Sequence, residues 1–482
     1  CFHALHVKRG RAGRVPKSPE EGQAPADACP VATGPDDSSP TEASGAPAGT
    51  ASHPRHGRAL FGAATLAGAS VFRLAVQFIT LPVLARLLGP EAFGLVALAM
   101  PLVASLALLI ESGLSGALVR VTSLSRELES TVFWVALTLS LALSSAIVLG
   151  ADLIAAAVSE PAAATVIAAL APTLVLSSLV TVPWARLQRD GRLWAIALGD
   201  LVGLSVGAAA AFYGAFHGWG VWSLVAQQVG FCLAKASVLF VVARMVPRLF
   251  CDPRLLAGIA AFSLGFAGSN VVVFLAQYTD IILVGAILGP AALGFYAVAL
   301  QLVRIPELVL AAPAWQALFP AVAKAGEDRA RAADIYLRSF RLVITVAAPM
   351  VIGITVIADL IVAVFLGPKW GPAATVIVAL APVGLLRCMA PLSSAMLSGT
   401  GRSVLQFWTS LLTVGLSAIG VAAGIALGGL PGAAAGLGVA MLGAHLPLHV
   451  LALREARLGA GVLLRLAWRP VLAAVTMGAA VI

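Results

Sequence analysis

From Leu60 to the end of the chain, long apolar stretches alternate with short segments rich in Gly, Pro and Arg. A helix needs roughly 20 mostly apolar residues to cross a bilayer, and each stretch is long enough. The alternation of apolar and polar positions that is typical of membrane β-barrels is absent, so backbone hydrogen bonds must be satisfied within helices. The pattern predicts thirteen transmembrane helices, over residues 60–86, 92–118, 131–158, 162–185, 193–216, 219–246, 256–288, 291–321, 335–366, 373–397, 404–427, 432–453 and 464–482.

Composition places these helices in a membrane rather than in a soluble helical bundle. Hydrophobic residues make up 60% of the 482-residue chain and charged residues only 11%, whereas about a quarter of the residues of soluble proteins are charged. The mean hydropathy is +0.97. The sequence therefore predicts an all-α integral membrane protein.

The basic residues predict the orientation of the helices, because Lys and Arg collect in cytoplasmic loops. Most of the 31 Lys and Arg residues lie in the N-terminal tail and in the even-numbered gaps between helices, whereas only Arg86 and Lys369 lie in odd-numbered gaps. We therefore expect a cytoplasmic N-terminus. The formal net charge of +9 would suggest nucleic-acid binding in a soluble protein. Here the membrane topology accounts for it, and no nucleic-acid partner is expected.

Two segments of the chain occur twice. LGPEAFG at 88–94 returns as LGPAALG at 288–294, and AATVIAALAP at 163–172 returns as AATVIVALAP at 373–382. In both copies of the first segment a helix ends at Leu-Gly-Pro, since Gly permits a left-handed cap and Pro cannot continue the helix. An even number of helices separates the copies, so both run in the same direction. Two parallel six-helix repeats are expected, related by a pseudo-twofold axis along the membrane normal, with the binding space between them.

The predicted organisation has four parts. Residues 1–57 are rich in Pro, Ala, Gly, Ser and acids, so they cannot bury enough apolar surface to offset the entropy lost on ordering. We expect a disordered cytoplasmic tail at 1–57, an N-lobe at 58–250 (helices 1–6), a C-lobe at 251–454 (helices 7–12) and a thirteenth helix at 455–482.

Three stretches carry a resemblance to a known family. ARLLGPEAFGLVALA at 85–99, GVWSLVAQQ at 220–228 and GSNVVVFLAQYTDIILVGAILGPAALGFYAVA at 268–299 resemble the bacterial lipid-linked oligosaccharide flippases, and more narrowly the WzxC-type polysaccharide exporters of the MOP superfamily. The resemblance covers almost everything from Leu60 to Ile482. It implies a MOP/MATE-like, V-shaped bundle of two lobes, usually with fourteen helices. Since thirteen are visible, the chain is expected to stop before the last one.

The same resemblance implies a function. Such exporters move undecaprenyl-pyrophosphate-linked repeat units across the bacterial inner membrane for surface polysaccharide biosynthesis. We expect alternating access, with the lobes rocking about the shared axis while the polyprenyl tail stays in lipid. A lateral gap between helices 1 and 8 would suit that tail. The expected partners are the lipid-linked oligosaccharide, membrane lipids and a coupling ion, either a proton or sodium, and no cofactor is expected.

Ionisable residues inside helices mark candidate functional positions, because each costs about 2.5 to 3.5 kcal/mol at mid-bilayer on insertion scales unless it faces water or a partner. A cation lining the cavity can hold a pyrophosphate, and an arginine does so with two parallel hydrogen bonds. Arg73 and Gln77 stand four apart on one face of helix 1, and Gln77 corresponds to Gln277 in the second copy. The residues predicted to bind substrate are Arg73, Gln77, Lys235, Gln277, Arg304 and Arg387.

Three acids inside helices are predicted to be either coupling sites or structural partners: Asp280, Glu111 and Glu307. Arg304 and Glu307, three residues apart, can either contact substrate or neutralise one another across a helical turn. Lys235 can either line a cavity or extend its ammonium part of the way towards the end of its helix. Asp280 can pair with an arginine or bind the coupling ion.

Other functions are less well supported by the sequence. An enzyme would need a folded extramembrane loop or a constellation of catalytic carboxylates or histidines, and the loops are short; a P-loop is also absent. His445 and His449 stand four apart, but Pro447 lies between them, so no metal site is expected. The principal alternative is an ion-coupled multidrug or toxin antiporter of the same superfamily, which would require a mainly apolar or acidic cavity for cations.

Overall fold

A computed structural model describes residues 53–120, 125–252, 254–326, 328–459 and 461–481, and within these ranges all regular secondary structure is helical. The first half of the chain contains α1 (His53–Leu88), α2 (Pro90–Arg120), α3 (Arg126–Ala157), α4 (Ala162–Leu170), α5 (Pro172–Arg189), α6 (Leu193–Phe216) and α7 (Trp222–Ala243). The second half contains α8 (Arg254–Val303), α9 (Ala312–Ala325), α10 (Arg329–Val356), α11 (Ala358–Ile361), α12 (Gly371–Gly399), α13 (Ser403–Glu455) and α14 (Gly461–Val481).

Short helical turns of other types join some of these helices. The π-helical turns are Glu307–Ala311 and Val362–Leu366, and a 3₁₀ turn spans Pro368–Trp370. The predicted disordered tail lies outside the described residues up to Ser52. Helix α1 begins at His53, earlier than the predicted start at Leu60.

Eleven segments of the described chain are long and apolar enough to cross a membrane. Two of them, Phe274–Ala325 and Val404–Glu455, are 52 residues long, which is more than twice the length that one crossing needs. Helix α8 is interrupted at Gly289, with φ 79°, and α13 at Gly428 and Gly429. Two crossings in each long segment would give the predicted thirteen. The membrane-spanning helical fold is confirmed, and the helix count stays a prediction.

The two copies of the LGPxxxG segment contact each other. Helix α2 packs along α8, and a Cβ added to Gly94 would collide with the carbonyl oxygen of Pro290. Reciprocally, a Cβ added to Gly294 would collide with the carbonyl oxygen of Pro90. Each copy therefore supplies the glycine that lets the other copy's backbone approach, as expected of small residues at helix interfaces in membranes.

The second repeated segment forms the core of each half. In α4, the side chains at the first, fourth, fifth and eighth positions of AATVIAAL are buried, and the corresponding positions of α12 are buried in the same way. This spacing places all four on one helix face. The residues are Ala163, Val166, Ile167 and Leu170 in the first copy, and Ala373, Val376, Ile377 and Leu380 in the second.

The end of α1 is attached to the second half of the chain. The indole nitrogen of buried Trp370 donates a hydrogen bond of 2.9 Å to the carbonyl oxygen of Ala85. The rings of Phe93 and Phe295 meet the Trp370 ring edge-on, with centroids 5.4 and 5.8 Å away. The Arg86 guanidinium donates to the backbone carbonyls of Val364 and Phe365. The Ala85 carbonyl also accepts from the backbone N–H of Gly89 at 3.3 Å, so Trp370 adds a second hydrogen bond to it and holds the end of α1 to the second half of the chain.

Candidate functional site

A polar cavity of about 350 Å³ lies between α1, α2, α7 and the part of α8 that follows Gly289. We call it the central cavity. Its polar lining is formed by Arg73, Gln77, Thr80, Gln227, Gln228 and Gln301. The amide groups can both donate and accept hydrogen bonds, and the only charged side chain in this lining is basic.

Arg73 and Gln77 face the central cavity together, as their spacing along α1 predicts. Arg73 is exposed and forms no ion pair with any residue that the structure describes. One turn beyond Gln77, the Thr80 hydroxyl is buried and has no hydrogen-bond partner within the described ranges. The wall that α1 contributes therefore offers an uncompensated positive charge and unused hydrogen-bonding groups.

The central cavity borders an apolar pocket through a narrow crevice between α1 and α8. The crevice is lined by Leu74, Gln77, Phe78, Leu81, Gln301, Leu302 and Ile305. It shares Gln77 and Gln301 with the central cavity, and it shares Phe78, Leu302 and Ile305 with the pocket beyond. That pocket has a volume of about 340 Å³ and only apolar side chains in its lining. Polar and apolar binding space thus meet at Gln77 and Gln301.

A second polar cavity, of about 290 Å³, lies within the second half of the chain, among α8, α9, α12, α13 and the π-helical turn. We call it the second-half cavity. Its polar and charged lining residues are Gln277, Glu307, Arg387, Ser394, Gln406, Thr409, Ser410, Thr413 and His445. It shares no lining residue with the central cavity, the crevice or the apolar pocket.

Two arginines share one carboxylate at the second-half cavity. The Glu307 Oε2 atom lies 3.3 Å from Arg304 Nε and 3.7 Å from Arg387 Nη1. Only 6% of Arg387 is exposed, and its Nε atom is buried without a hydrogen-bond partner among the described residues. Both interpretations of the Arg304–Glu307 spacing therefore remain open, because the two side chains pair while Glu307 also lines a cavity.

Glu307 begins a π-helical turn that follows Pro306. A proline inside a helix removes one backbone hydrogen bond, and π-helical turns often occur at functional sites. The wider turn changes the direction in which side chains leave the helix, and it lies between Gln301, at the central cavity, and Trp315, at the second-half cavity. This turn was not predicted from the sequence, although Pro306 indicated an irregularity in the helix there.

Asp280, on α8, lies in the core and lines neither cavity. It is 2% exposed, and its Oδ2 atom accepts a hydrogen bond of 2.9 Å from the Tyr296 hydroxyl. Asp280 and Tyr296 both belong to α8, on opposite sides of the break at Gly289. This bond therefore links the two parts of α8. It gives Asp280 a specific hydrogen-bond partner within the protein, as a structural role requires.

The charged residues inside the first half form a separate group. Lys235 Nζ lies 2.9 Å from Asp200 Oδ1, and Glu111 on α2 is close enough to interact electrostatically with Lys235. None of the three lines a described cavity. The sequence analysis missed Asp200, although an acid in the apolar helix α6 was a signal of the kind used for the other candidates.

The glutamines and hydroxyls of the cavities were also missed, except for Gln77 and Gln277. Four of them, Gln406, Thr409, Ser410 and Thr413, share one face of α13 by helical spacing, which was a readable signal. No group of three or more His, Cys, Asp or Glu side chains suited to a metal ion occurs in the described parts of the chain. His449 instead shares a hydrogen bond of 2.6 Å with the Ser393 hydroxyl.

Comparison with known proteins identifies the family of the chain. Residues 83–375 match the family model described as "Polysaccharide biosynthesis protein". The chain belongs to this family. It is 29% identical over 360 residues to the succinoglycan biosynthesis transport protein ExoT of Rhizobium meliloti (strain 1021), a match that covers 74% of this chain and 72% of ExoT. It is 22% identical to the lipopolysaccharide biosynthesis protein WzxC of Escherichia coli (strain K12), over 73% of this chain and 72% of WzxC.

Solved structures agree on the fold. The chain matches the lipid II flippase MurJ in an inward closed conformation with a TM-score of 0.71 and 12% identity, over 86% of this chain and 92% of MurJ. It matches an inward-facing MATE multidrug transporter of the MOP superfamily with a TM-score of 0.64 and 16% identity, over 80% of this chain and 98% of the transporter. The resemblance to MOP-superfamily polysaccharide exporters is confirmed. The family and the fold are those of transporters, not enzymes.

Proposed function

We propose that this protein is a flippase that carries undecaprenyl-pyrophosphate-linked oligosaccharide repeat units across the bacterial inner membrane for surface polysaccharide biosynthesis. One observation carries the proposal. A polar cavity lined by Arg73, which forms no ion pair among the described residues, continues through the crevice at Gln77 and Gln301 into a wholly apolar pocket. A ligand with an anionic, hydroxyl-rich head and a hydrocarbon tail matches this succession of surfaces.

Each part of the ligand has a suitable surface in this arrangement. Arg73 would hold the diphosphate, because a guanidinium donates parallel hydrogen bonds to phosphate oxygens. The amides of Gln227 and Gln228 would bind sugar hydroxyls as both donors and acceptors. The apolar pocket beyond the crevice would take the first isoprene units, because burying each CH₂ group is worth about 0.8 kcal/mol. The gap expected between predicted helices 1 and 8, over residues 60–86 and 291–321, would lie at this crevice, whose lining comes from these two segments.

Transport would proceed by alternating access between the predicted lobes, 58–250 and 251–454. The bonds from Trp370 and Arg86 hold the end of α1 to the second half, and they would have to break for the cavity to open at that end. With the N-terminus in the cytoplasm, this end would face the periplasm. A proton gradient, a sodium gradient or the membrane potential would supply the energy, and Asp280, Glu111 and Glu307 stay candidates for coupling.

The alternative is an ion-coupled drug or toxin antiporter, for which the MATE-like fold is the supporting observation. Such a protein would bind cations, whereas the charged side chain in the lining of the central cavity is Arg73. A basic lining repels cationic drugs and attracts phosphate, so the observed charge favours the flippase.

The test is complementation of a bacterial strain that lacks its own polysaccharide flippase and makes a matching repeat unit. The parent protein should restore surface polysaccharide and empty the inner leaflet of lipid-linked repeats. Arg73→Ala, at matched membrane abundance, should lower export at least tenfold. Arg338→Ala is the matched control, because Arg338 lies at an exposed position and pairs with Asp334 one turn away. A parent that extrudes cationic drugs and leaves lipid-linked repeats inside would contradict the proposal.

A further inference from the structure

Arg387 is a buried cation with too few partners. A guanidinium has five N–H donors, and buried polar groups are normally hydrogen-bonded. The approach of Arg387 Nη1 to Glu307, at 3.7 Å, is longer than a hydrogen bond, and the buried Nε atom has no partner within the described ranges. Arg387 lines the second-half cavity, so a ligand there could accept these unused hydrogen bonds.

Two arginines, Arg304 and Arg387, and two acids, Glu307 and Asp280, lie at or near this cavity. Glu307 is the only acid in its lining, and Arg304 approaches the same carboxylate oxygen more closely than Arg387 does. Asp280 interacts electrostatically with Arg387 and accepts a hydrogen bond from the Tyr296 hydroxyl. The remaining titratable group in the lining, His445, has a buried Nδ1 atom without a partner in the described structure. The opposite charges are therefore equal in number, and the unused hydrogen-bond donors of Arg387 are what the site offers to an anionic ligand.

The rest of the lining is typical of a sugar site. The hydroxyls of Thr409, Ser410 and Thr413 donate to backbone carbonyls of their own helix, which leaves their oxygens free to accept hydrogen bonds. The Ser398 hydroxyl donates to the amide oxygen of Gln406 at 2.6 Å, so the amide NH₂ group of Gln406 can donate to a ligand. Acceptors for sugar hydroxyls and donors for ring or carboxylate oxygens thus line one face of α13.

Size and position distinguish this site from the central cavity. Its volume of about 290 Å³ lies at the lower end for small-molecule pockets, which suits one sugar residue rather than a chain. The central cavity borders the apolar pocket, where a lipid-linked diphosphate would lie, whereas the second-half cavity shares no lining residue with that pocket. A sugar remote from the lipid is the part of the cargo that could reach it.

We propose that the second-half cavity binds a uronic acid residue of the cargo, with Arg387 as the ligand of the sugar carboxylate and the α13 face as the ligand of its hydroxyls. The carboxylate accepts from guanidinium N–H groups of Arg387, as in other arginine–carboxylate pairs. The proposal rests on the proposed function only for the source of the sugar. The site would select cargo that carries such an acid.

The test is direct binding to the purified full chain in lipid nanodiscs, by isothermal titration calorimetry. The probes are methyl glucuronide, the uncharged methyl glucoside of the same ring shape, and inorganic pyrophosphate. The glucuronide should bind about tenfold more tightly than the glucoside, equivalent to about 1.4 kcal/mol. Arg387→Gln should remove this preference, and Arg338→Gln, which deletes an exposed charge, should leave it unchanged.

A second variant keeps the proposal testable if Arg387→Gln does not fold. Thr409→Val removes one hydroxyl at nearly constant shape, and it should weaken both sugars several-fold without changing their ratio. Equal binding of the two sugars by the parent protein would overturn the proposal, as would a preference that survives Arg387→Gln. Pyrophosphate that displaces the glucuronide through Arg387 would assign the site to the diphosphate instead. Since this assay does not require transport, its failure and a failure of complementation are separate results.

Discussion

At the contact between α2 and α8, each half of the chain presents Leu-Gly-Pro with a second glycine four residues after the proline, and each glycine faces the other half's proline. The buried residues of α4 and α12 repeat in the same way. At the cavities this equivalence ends. Arg73 corresponds to Val273, Thr80 to Asp280, Val96 to Tyr296, Ala107 to Glu307 and Ser177 to Arg387.

The difference has a physical cause. Two copies that pack against each other must have complementary surfaces. A substitution in either copy therefore disrupts the contact between them. A ligand that lies in an asymmetric position imposes no such reciprocity. The two halves can therefore keep the same packing residues while the second half acquires the cluster of Arg304, Glu307 and Arg387.

The largest expected effect comes from breaking the shared contact. Gly94→Ala or Gly294→Ala places a methyl group against a backbone carbonyl that has little room to move, and overpacking costs about 1–3 kcal/mol even where side chains can adjust. We expect each single variant to reduce the yield of folded, monodisperse protein severely and to a similar extent, as measured by fluorescence-detected size-exclusion chromatography.

The control for this prediction is Gly353→Ala in α10, where an added Cβ meets nothing within 4 Å. It should be neutral or slightly stabilising, because Ala favours a helix over Gly by about 1 kcal/mol. If Gly94→Ala is tolerated while Gly294→Ala is not, the reciprocal contact is not what constrains both copies.

An intermediate effect is expected where the halves differ inside the core. Tyr296→Phe removes the donor to the buried Asp280 carboxyl group, and hydrogen bonds to charged groups contribute about 1.5–3 kcal/mol. The matched change is Tyr336→Phe, which removes a buried bond of 2.9 Å to the uncharged Ser393 hydroxyl and should cost about 1 kcal/mol. The measurement is thermal unfolding in detergent. Equal losses of stability for the two variants would mean that the hydrogen bond from Tyr296 to Asp280 contributes no more than a bond between uncharged groups.

The smallest effect on stability is expected at the end of α1, where the proposed transport cycle would separate the two halves. Trp370→Phe keeps an aromatic ring against Phe93 and Phe295 but removes the donor to the Ala85 carbonyl, at a cost of about 1 kcal/mol. The variant should shift the population towards conformations that are open at this end. Distances between spin labels on the turns after α1 and before α12 should lengthen. An unchanged distance distribution would mean that the Trp370–Ala85 hydrogen bond does not hold this end closed.

Much of the fold was readable from the sequence because the bilayer imposes strong constraints. Helix length, apolar composition and Gly-Pro breaks follow from the thickness of the membrane and the need to satisfy backbone groups. The break at Leu288, Gly289 and Pro290 was predicted as the end of a helix, and the structure shows a non-helical Gly289 there. The breaks at Pro306 and at Val362–Leu366 were missed, since a π-helical turn depends on the packing around it.

The candidate site was readable only in part. The spacing along helix 1 and the repeat identified Gln77 and Gln277, and the rarity of charge in membrane helices identified Arg73, Glu307 and Arg387. All five line cavities. The same criterion also selected Lys235, whose partner is Asp200 and which lines no described cavity. The free-energy cost of burying a charge in the membrane indicates that the residue needs a partner. It does not indicate whether that partner is another residue or a ligand.

The sequence by itself determined that this is a membrane transporter built from two repeats, because apolar length, repeat spacing and family resemblance are local properties of the chain. Only the tertiary structure decided that Gly94 packs against the Pro290 carbonyl and Gly294 against the Pro90 carbonyl. It also decided that Gln77 and Gln277, which are equivalent in the repeat, line different cavities. It also decided that Arg387 lacks a full set of partners. These are relations between residues far apart in the chain, and only the packing of the helices brings them within a few ångströms.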